Sequence, residues 1–218
     1  MPWPLLTSLD ETERRELLEL ARRRSFARHE VVCHAGDPAD SLHLVESGRL
    51  AVHVSLPSGD SAMINVLGPG DYFGELALLS EDGQRTATIT ALEPATTRVV
   101  TASAFRRLRE TRPAVERTLT AFLAGRVDEL SQRLIEAMYV GLDRRLYRRL
   151  AELCETYGPG EPRVVVPLTQ TQLADLTGGT RPTVNQVLQR LAEAGLVSIA
   201  RGRVEVLDVA ALRRRGGL

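Results

Sequence analysis

Between residues 25 and 101 the sequence consists of short apolar runs separated by turn signals, and this pattern constrains the fold most. Runs such as Leu42–Val45 and Leu50–Leu56 have the length and composition of β-strands. Glycines such as Gly48 and Gly70 mark the turns between them. Many short strands at near-regular spacing are typical of a β-barrel or jelly roll, so the sequence predicts that fold for its N-terminal part.

A helix is predicted on each side of these strands. Leu9–Arg23 has an apolar stripe at helical spacing, and Asp10 with Glu13 fits the D-x-x-E signature of a helix N-terminus. Ala102–Glu110 is the short helix predicted to follow the strands.

The segment Phe73–Ile89, which reads FGELALLSEDGQRTATI, combines groups that suit one small anion. Gly74 allows the backbone to approach a ligand closely, and a short helix after it offers free N–H groups. Arg85 adds a planar charged fork that fits a phosphate. Glu75 would repel an anion unless it accepts hydrogen bonds, and a ribose hydroxyl is a suitable donor. A surface loop with a chance arginine is the alternative.

This segment resembles the phosphate-binding cassette of cyclic-nucleotide-binding domains, as found in the cyclic-AMP receptor protein/FNR (Crp/Fnr) family of regulators and in regulatory subunits of protein kinase A. The resemblance implies that Glu75 holds the ribose 2′-hydroxyl and that Arg85 holds the cyclic phosphate. It also implies a phosphate cradle completed by Gly74, the backbone N–H groups of Leu76 and Ala77, and Thr86 and Ala87.

A long helix is predicted from Arg112 to Met138, followed by a hinge at Gly141-Leu142-Asp143. Its apolar residues are spaced close to a heptad pattern: Leu119, Leu123, Val127, Leu130, Leu134 and Ala137. A helix of about 25 residues is about 38 Å long, which is longer than a small barrel needs. A homodimeric coiled coil is therefore favoured over a helix packed only on its own barrel, and the resemblance implies the same role.

Two residues of this helix bear on the choice of nucleotide. Members of the family that bind cyclic AMP place adjacent Thr and Ser against the adenine, and the matching pair here is Leu130-Ser131. Ser131 can keep one hydrogen bond, whereas Leu130 cannot form one. The expected ligand is cAMP, with cGMP and a weak, non-activating or absent nucleotide response left open.

The segment Gln170–Leu191 has the spacing of a helix-turn-helix. Ala174 provides a small residue where two helices touch, Gly178 turns the chain, and Val184 and Val187 hold the second helix down. An ordinary αα-hairpin is the alternative. Two predicted strands on either side of Arg201-Gly202-Arg203 add a wing.

The second helix of this motif, about Thr180–Ala194, is predicted to read DNA. Arg181 can pair with guanine, and Asn185 or Gln186 with adenine. Family members that read a TGTGA-like half-site carry R-E-T-V-x-R here, whereas this chain has R-P-T-V-N-Q, so its DNA consensus is expected to differ. The predicted DNA contacts are Thr169, Gln170, Arg181, Thr183, Asn185, Gln186, Arg201 and Arg203.

Composition limits the other classes of function. Formal net charge is zero, yet residues 143–218 contain 12 Arg and 8 acidic residues, which favours an anionic partner for this part. The two cysteines, Cys33 and Cys154, are far apart and are expected to be reduced and structural. Neither a signal peptide nor an apolar run of about 20 residues is found. A cytoplasmic protein with no membrane contact is therefore expected.

An enzyme or a metalloprotein is not expected. The sequence has no P-loop, metal box or nucleophile-base pairing. The histidines are scattered and lie at no close ligand spacing with a cysteine or an acid: His29, His34, His43 and His53.

Taken together, the sequence predicts an α+β chain in three parts. Residues 1–111 form a cyclic-nucleotide-binding β-roll or jelly roll, 112–140 a dimerisation helix, and 141–218 a winged helix-turn-helix. The expected partners are double-stranded DNA, a cyclic mononucleotide and a second copy of the chain, with RNA polymerase as a candidate. The function predicted is transcriptional regulation by a homodimer, and a regulatory subunit of an enzyme is a second alternative.

Overall fold

The computed structural model describes residues 3, 6–7, 9–75, 83–111 and 113–218, and for the helices on either side of residue 112 it describes the backbone without some of the side chains. The helices are α1 (Glu11–Leu20), α2 (Ala102–Thr111), α3 (Pro113–Tyr139), α4 (Leu142–Tyr157), α5 (Gln170–Thr177), α6 (Arg181–Glu193) and α7 (Val209–Gly216). The strands are β1 (Arg22–Phe26), β2 (Val31–Cys33), β3 (Ser41–Ser47), β4 (Leu50–Ser55), β5 (Ser61–Leu67), β6 (Tyr72–Phe73), β7 (Thr88–Ala91), β8 (Ala95–Thr101), β9 (Val164–Val166), β10 (Val197–Ala200) and β11 (Arg203–Val206).

Two four-stranded sheets form the N-terminal part. Their strand orders are β1-β8-β3-β6 and β2-β7-β4-β5, and the pairs β1–β8, β8–β3, β3–β6, β2–β7 and β7–β4 are antiparallel. A buried cluster that includes Phe26, Val45, Leu50 and Ile89 takes its members from strands of both sheets. The predicted β-roll architecture is confirmed.

Strand β3 is buried on both faces because two different cores cover it. Leu42 and Leu44 belong to a cluster with Leu17 of α1 and Phe105 of α2. Val45 belongs to the cluster shared by the two sheets. Successive side chains of a strand point to opposite faces, so this one strand joins the helices to the inter-sheet core.

His43 lies on β3 among these buried residues, with 2% of its surface exposed. Its Nδ1 lies 3.1 Å from the Thr97 hydroxyl, and its ring stacks on Phe73 with centroids 4.5 Å apart. Burial, together with the smaller effects of the Arg85 and Arg24 charges, lowers the pKa of His43 to about 3, and Asp40 partly opposes this shift. The imidazole is therefore neutral at physiological pH.

The first helix is shorter than predicted. The capping box at its start is present, since Asp10 accepts from the Glu13 N–H at 2.8 Å and donates its own N–H to Glu13 at 3.0 Å. However, α1 ends at Leu20 rather than Arg23, and Arg22 begins β1. Arginine is a good helix former, so local propensity favours helix here. The pairing of all five residues of β1 with Ala95–Val99 of β8 overrides it.

The chain divides into two compact units, residues 1–61 with 65–130 and residues 62–64 with 131–218. The division falls inside α3, which runs one residue beyond its predicted end; Arg112 lies outside the described residues. The predicted hinge at Gly141-Leu142-Asp143 is shorter in the structure. Only residues 140–141 separate α3 from α4, and Leu142 and Asp143 already belong to α4. The domain limits of 111/112 and 140/141 stay a prediction.

A row of apolar side chains is exposed along α3. Leu123 of the predicted seam is half-buried, and Ala137 is exposed; the Leu119 side chain is outside the described ones. The exposed fractions of the large apolar side chains are 64% for Val127, 55% for Leu130, 61% for Leu134, 51% for Ile135, 63% for Met138 and 77% for Tyr139. A contiguous row of this kind marks an interaction surface.

The second unit contains α5 and α6 joined at Gly178, and a sheet of order β10-β11-β9. Helix α7 follows this sheet and was not predicted, although Asp208 caps it by accepting from the Ala211 N–H at 2.8 Å. Arg148 of α4 connects α7 to the end of α3. The Arg148 Nε donates to the Gly216 carbonyl of α7 at 2.7 Å, and the Arg148 Nη1 lies 2.5 Å from Glu136 of α3.

Two findings hold for the described part of the chain. No helix there is long and apolar enough to cross a membrane. Cys33 and Cys154 are both free thiols, and burial raises the pKa of Cys154 to about 12.

The buried His43 predicts a loss of stability in acid. Its pKa is about 3 in the folded protein and about 6.5 when exposed, so below pH 6.5 the unfolded chain binds a proton that the folded chain does not. Lowering the pH from 7 to 5 should therefore cost about 2 kcal/mol of unfolding free energy. We expect His43→Gln to remove this loss, measured by urea denaturation at each pH.

Val45→Ala is the matched control, because it removes buried volume from the same strand without removing a titrating group. Its free energy of unfolding should lie below that of the wild type by the same amount at both pH values. If the free energy of unfolding falls equally as the pH is lowered in His43→Gln and in the wild type, His43 is not the group responsible for the loss.

Candidate functional site

A loop between β2 and β3 fixes the backbone on both sides of Arg85. The Gly36 N–H donates to the Arg85 carbonyl, and the Arg85 N–H donates to the Asp37 carbonyl, each at 2.8 Å. The Ala39 N–H donates to the Gly83 carbonyl, also at 2.8 Å. Three backbone hydrogen bonds therefore hold this arginine against a neighbouring loop rather than leaving it on a free surface segment.

The Arg85 guanidinium is buried, with 8% of the residue exposed. Its Nη2 donates to the Ser41 hydroxyl at 2.9 Å and lies 3.9 Å from a carboxylate oxygen of Asp40. Its Nη1 is buried and has no hydrogen-bond partner among the described residues. Leaving a buried charged donor unpaired is costly, so this nitrogen is suited to an anion supplied from outside the chain.

Gly74 lies directly beside this free nitrogen. A Cβ atom at this position would be 2.1 Å from Arg85 Nη1 and 2.5 Å from the Ser41 carbonyl oxygen. Its φ of +85° also lies in the region that other residues rarely adopt. The close approach between this backbone and the guanidinium therefore requires glycine.

The charge of Arg85 acts on neighbouring groups. Burial raises the pKa of the Cys33 thiol, and Arg85 opposes that rise. Arg85 also contributes to the low pKa of His43. Arginine stays charged under all ordinary conditions, so this part of the interior carries a fixed positive charge. Among the residues that the structure describes, no cluster of His, Cys, Asp and Glu could hold a metal ion.

The remaining predicted ligand residues are placed as follows. Glu75 is half-buried directly after Gly74, Thr86 is exposed and Ala87 is half-buried. Leu76 and Ala77 lie outside the described residues. Leu130 and Ser131 have exposed side chains on α3, and their role toward a base stays a prediction.

Sequence reasoning missed Ser41, Asp40 and the loop before them. The residues Gly36-Asp37-Pro38 signalled only a turn, and nothing local relates that turn to an arginine almost 50 residues later. The contact depends on the pairing of distant strands. An Asp-Ser pair at the start of a predicted strand was the one available signal, and it is a weak one.

The second candidate site begins with the helix pair α5 and α6. Thr169 and Gln172 form a capping box at the start of α5, and Gly178 ends it with a φ of +62°. The residues predicted to hold the two helices together, Ala174, Val184 and Val187, are buried, and so are Leu173 and Leu188 beside them. Packing of this kind fixes α6 on α5 and leaves the N-terminal residues of α6 exposed.

A surface concavity of about 370 Å³ brings most of the predicted DNA contacts together. It is bordered by the start of α5, the start of α6 and the turn between β10 and β11, and its lining includes Thr169, Gln170, Arg181, Arg201 and Arg203. The start of a helix and three arginine side chains suit phosphate oxygens.

The other predicted contacts lie outside the lining of that concavity. The Thr183 hydroxyl is 2.8 Å from that of Thr180, the residue that caps α6. Gln186 is exposed and Asn185 is half-buried. Both amides are on the same helix as Arg181, one turn further along.

Two family models match this chain. The cyclic nucleotide-binding domain matches residues 23–112, and the Crp-like helix-turn-helix domain matches residues 144–215. Together they span the two regions in which the sites described above lie.

Whole-length relatives agree with these matches. The chain is 31% identical over 210 residues to the cyclic AMP receptor protein of Thermus thermophilus, covering 96% of this chain and 94% of that protein. It is 31% identical over 208 residues to a probable transcriptional regulator of Lacticaseibacillus casei, covering 94% and 92%. A solved CRP-family regulator from Thermus thermophilus has a TM-score of 0.71 at 29% identity, over 89% of this chain and 97% of that one.

These matches identify a transcriptional regulator and not an enzyme. The paired domains, their order and the similarity along nearly the whole length all point the same way. The chain belongs to the Crp/Fnr family of transcriptional regulators.

Proposed function

We propose that this protein is a homodimeric DNA-binding regulator whose affinity for DNA responds to a cyclic mononucleotide, with cAMP as the first candidate and cGMP as the second. The observation that carries the proposal is the buried Arg85, whose Nη1 has no partner among the described residues. RNA polymerase is a further proposed partner, and the cytoplasm the proposed location.

A cyclic phosphate suits this arginine for electrostatic reasons. A buried guanidinium interacts more strongly with an anion than an exposed one does, because water screens the pair less. Glu75 follows the glycine that faces the guanidinium and supplies an acceptor for a ribose hydroxyl. The similar Thermus thermophilus protein is named as a receptor for cyclic AMP, which supports the same ligand here.

The exposed apolar row on α3 supports a dimer. Val127, Leu130 and Leu134 follow 3-4 spacing and are each more than half exposed. Such spacing is that of a coiled-coil seam. A second copy of the same helix is the simplest surface that would cover this row with matching side chains, since most soluble oligomers are symmetric.

DNA is the proposed ligand of the concavity at α5, α6 and the wing. Arg201 and Arg203 on the wing are proposed to contact phosphates, while Arg181 and the amides of Asn185 and Gln186 read base edges. In place of the acidic residue that follows this arginine in some relatives, the chain has Pro182, which cannot accept a hydrogen bond from cytosine.

The two sites are proposed to communicate through the junction of α3 and α4. A ligand shifts such an equilibrium only if it binds the two arrangements with different affinities. The ion pair between Arg148 and Glu136 spans this junction. If α4 rotates against α3, this ion pair breaks; if the pair is kept, the two helix ends move together. Typical coupling of this kind is about 1–3 kcal/mol.

A second candidate function keeps the fold and DNA binding but makes the nucleotide response weak, non-activating or absent. Leu130 favours it, because this side chain cannot hydrogen-bond to adenine. The similar Lacticaseibacillus casei protein is named only as a probable transcriptional regulator. The regulatory subunit of an enzyme is not proposed, since the helix-turn-helix model matches residues 144–215.

Arg85→Ala tests the nucleotide site. Removing one partner of a buried charge pair costs about 2–5 kcal/mol, so we expect cyclic AMP affinity to fall roughly 30- to 5,000-fold, measured by titration calorimetry. Arg28→Ala, which removes an exposed arginine of the same unit, should bind as the wild type does. A wild-type protein that gives no heat with either cyclic AMP or cyclic GMP would refute the proposal.

Leu134→Glu tests the dimer. In a symmetric seam this change places two like charges close together, so the dimer should dissociate at micromolar concentration, as measured by multi-angle light scattering. Gln132→Glu adds the same charge at an exposed residue on the other side of α3 and should leave the dimer intact. A monomer mass for the wild type at that concentration would contradict the proposed dimer.

Arg181→Ala and Arg203→Ala separate base reading from phosphate contact. The first should lose about 1–3 kcal/mol and relax the preference at one base pair of each half-site. The second should weaken binding to all sequences alike and reduce the salt dependence. Selection of sites from random DNA, with anisotropy at several salt concentrations, measures both. If Arg181→Ala keeps the wild-type preferences, Arg181 contacts the backbone instead.

A further inference from the structure

We propose that Ser41 is a positioning residue of the nucleotide site, which fixes the direction in which Arg85 presents its free nitrogen to the ligand. The inference rests on the proposed function, because it takes Arg85 as the group that binds the phosphate. Ser41 is the first residue of β3, and it is buried at 8% exposure. Its hydroxyl is the only neutral group among the described side chains that is bonded to this guanidinium.

The geometry of the Ser41 hydroxyl makes it an acceptor for Arg85. An arginine has only donors, and a serine hydroxyl has one proton and two lone pairs. Its Oγ donates that proton to Asp40 Oδ1 at 3.0 Å, and it accepts from Arg85 Nη2 at 2.9 Å. Asp40 therefore takes the proton and leaves a lone pair facing the arginine, so that Asp40 orients Ser41 and Ser41 orients Arg85.

The charge of Asp40 is not enough to hold the arginine by itself. Its nearest carboxylate oxygen lies 3.9 Å from Arg85 Nη2, and the Asp40 side chain is 84% exposed. Ion pairs with an exposed partner contribute little, because water and salt screen them. The buried hydrogen bond that Arg85 Nη2 donates to the Ser41 hydroxyl is the contact that fixes Nη2.

Fixing Nη2 also fixes Nη1, because a guanidinium is planar and rigid. The backbone hydrogen bonds of Arg85 hold one end of the side chain, and Ser41 holds one corner of the other end. Nη1 then lies beside Gly74, where a Cβ atom would be only 2.1 Å away. The free nitrogen thus has one direction of approach to a ligand.

This arrangement predicts selectivity between the two exocyclic oxygens of a cyclic phosphate. These oxygens are not equivalent, since one is axial and the other equatorial to the phosphate ring. A guanidinium held in one orientation donates to one of them, whereas a guanidinium free to rotate can serve either. Ser41 is therefore inferred to set which oxygen the site requires.

The test uses cyclic AMP and its Rp and Sp phosphorothioate analogues, in which sulfur replaces one exocyclic oxygen or the other. Sulfur is a weak acceptor, so the wild type should prefer one analogue by about tenfold or more, the effect of about 1.4 kcal/mol. Ser41→Ala should reduce the ratio of the affinities for the two analogues at least about threefold. It should also weaken cyclic AMP binding by about 5- to 10-fold, as for the loss of one hydrogen bond. Titration calorimetry gives all the affinities.

Matched variants distinguish positioning from a loss of structure. Ser41→Thr keeps the hydroxyl and should keep the wild-type ratio. Asp40→Asn keeps an oxygen that accepts from Ser41, so its ratio of affinities for the two analogues should stay within about twofold of the wild-type ratio. Asp40→Ala frees the Ser41 hydroxyl to rotate and should reduce that ratio. Because Asp40 is exposed, its variants remain informative if Ser41→Ala does not fold.

The outcomes separate this inference from the function on which it rests. A wild type that binds none of the three ligands overturns both. A wild type that binds but does not discriminate between the analogues overturns the role of Ser41 alone. So does a Ser41→Ala variant that keeps the wild-type ratio, even when all three affinities fall together, because equal losses indicate a structural role.

Discussion

The N-terminal site depends on a guanidinium held almost entirely out of water. Arg85 can be buried because its backbone is bonded to the loop at Gly36 and Asp37 and its Nη2 to Ser41. Each of those bonds offsets part of the cost of removing a charge from solvent. The remaining nitrogen has no described partner, so the arrangement is most stable when an anion completes it. Stability of the fold and affinity for a ligand are thus linked through one side chain.

This burial constrains the strands around it. His43 must be neutral, because a second cation near Arg85 in the same interior would be costly, and its bond to Thr97 and its stacking on Phe73 suit a neutral ring. Phe73 stacks on the His43 ring and directly precedes Gly74, so the same packing also helps to place the backbone that approaches Arg85. The packing of the β-roll core and the geometry of the ligand site therefore depend on the same residues.

Motifs with local causes could be predicted from the sequence, and long-range contacts could not. The Asp10 capping box, the turn at Gly178 and the buried face of α5 and α6 depend on spacing within a few residues, and all are confirmed. The first two residues of strand β1, Arg22 and Arg23, were predicted as helix, because their pairing partners on β8 lie more than 70 residues away. Ser41 was missed for the same reason: its importance comes from Arg85, and no local pattern connects them.

The junction between α3 and α4 shows how a ligand signal could be read without a flexible linker. Arg148 is held by Gly216 of α7 and by Glu136 of α3, and a Cβ on Gly216 would lie 3.2 Å from Arg148 Cγ. The side chain is therefore packed between elements and has few alternative positions. Interfaces of this kind move between discrete arrangements rather than bending continuously. In the proposed mechanism, a small rotation at the end of α3 would be passed on to α4 in full, and α5 and α6, which pack on α4, would move with it.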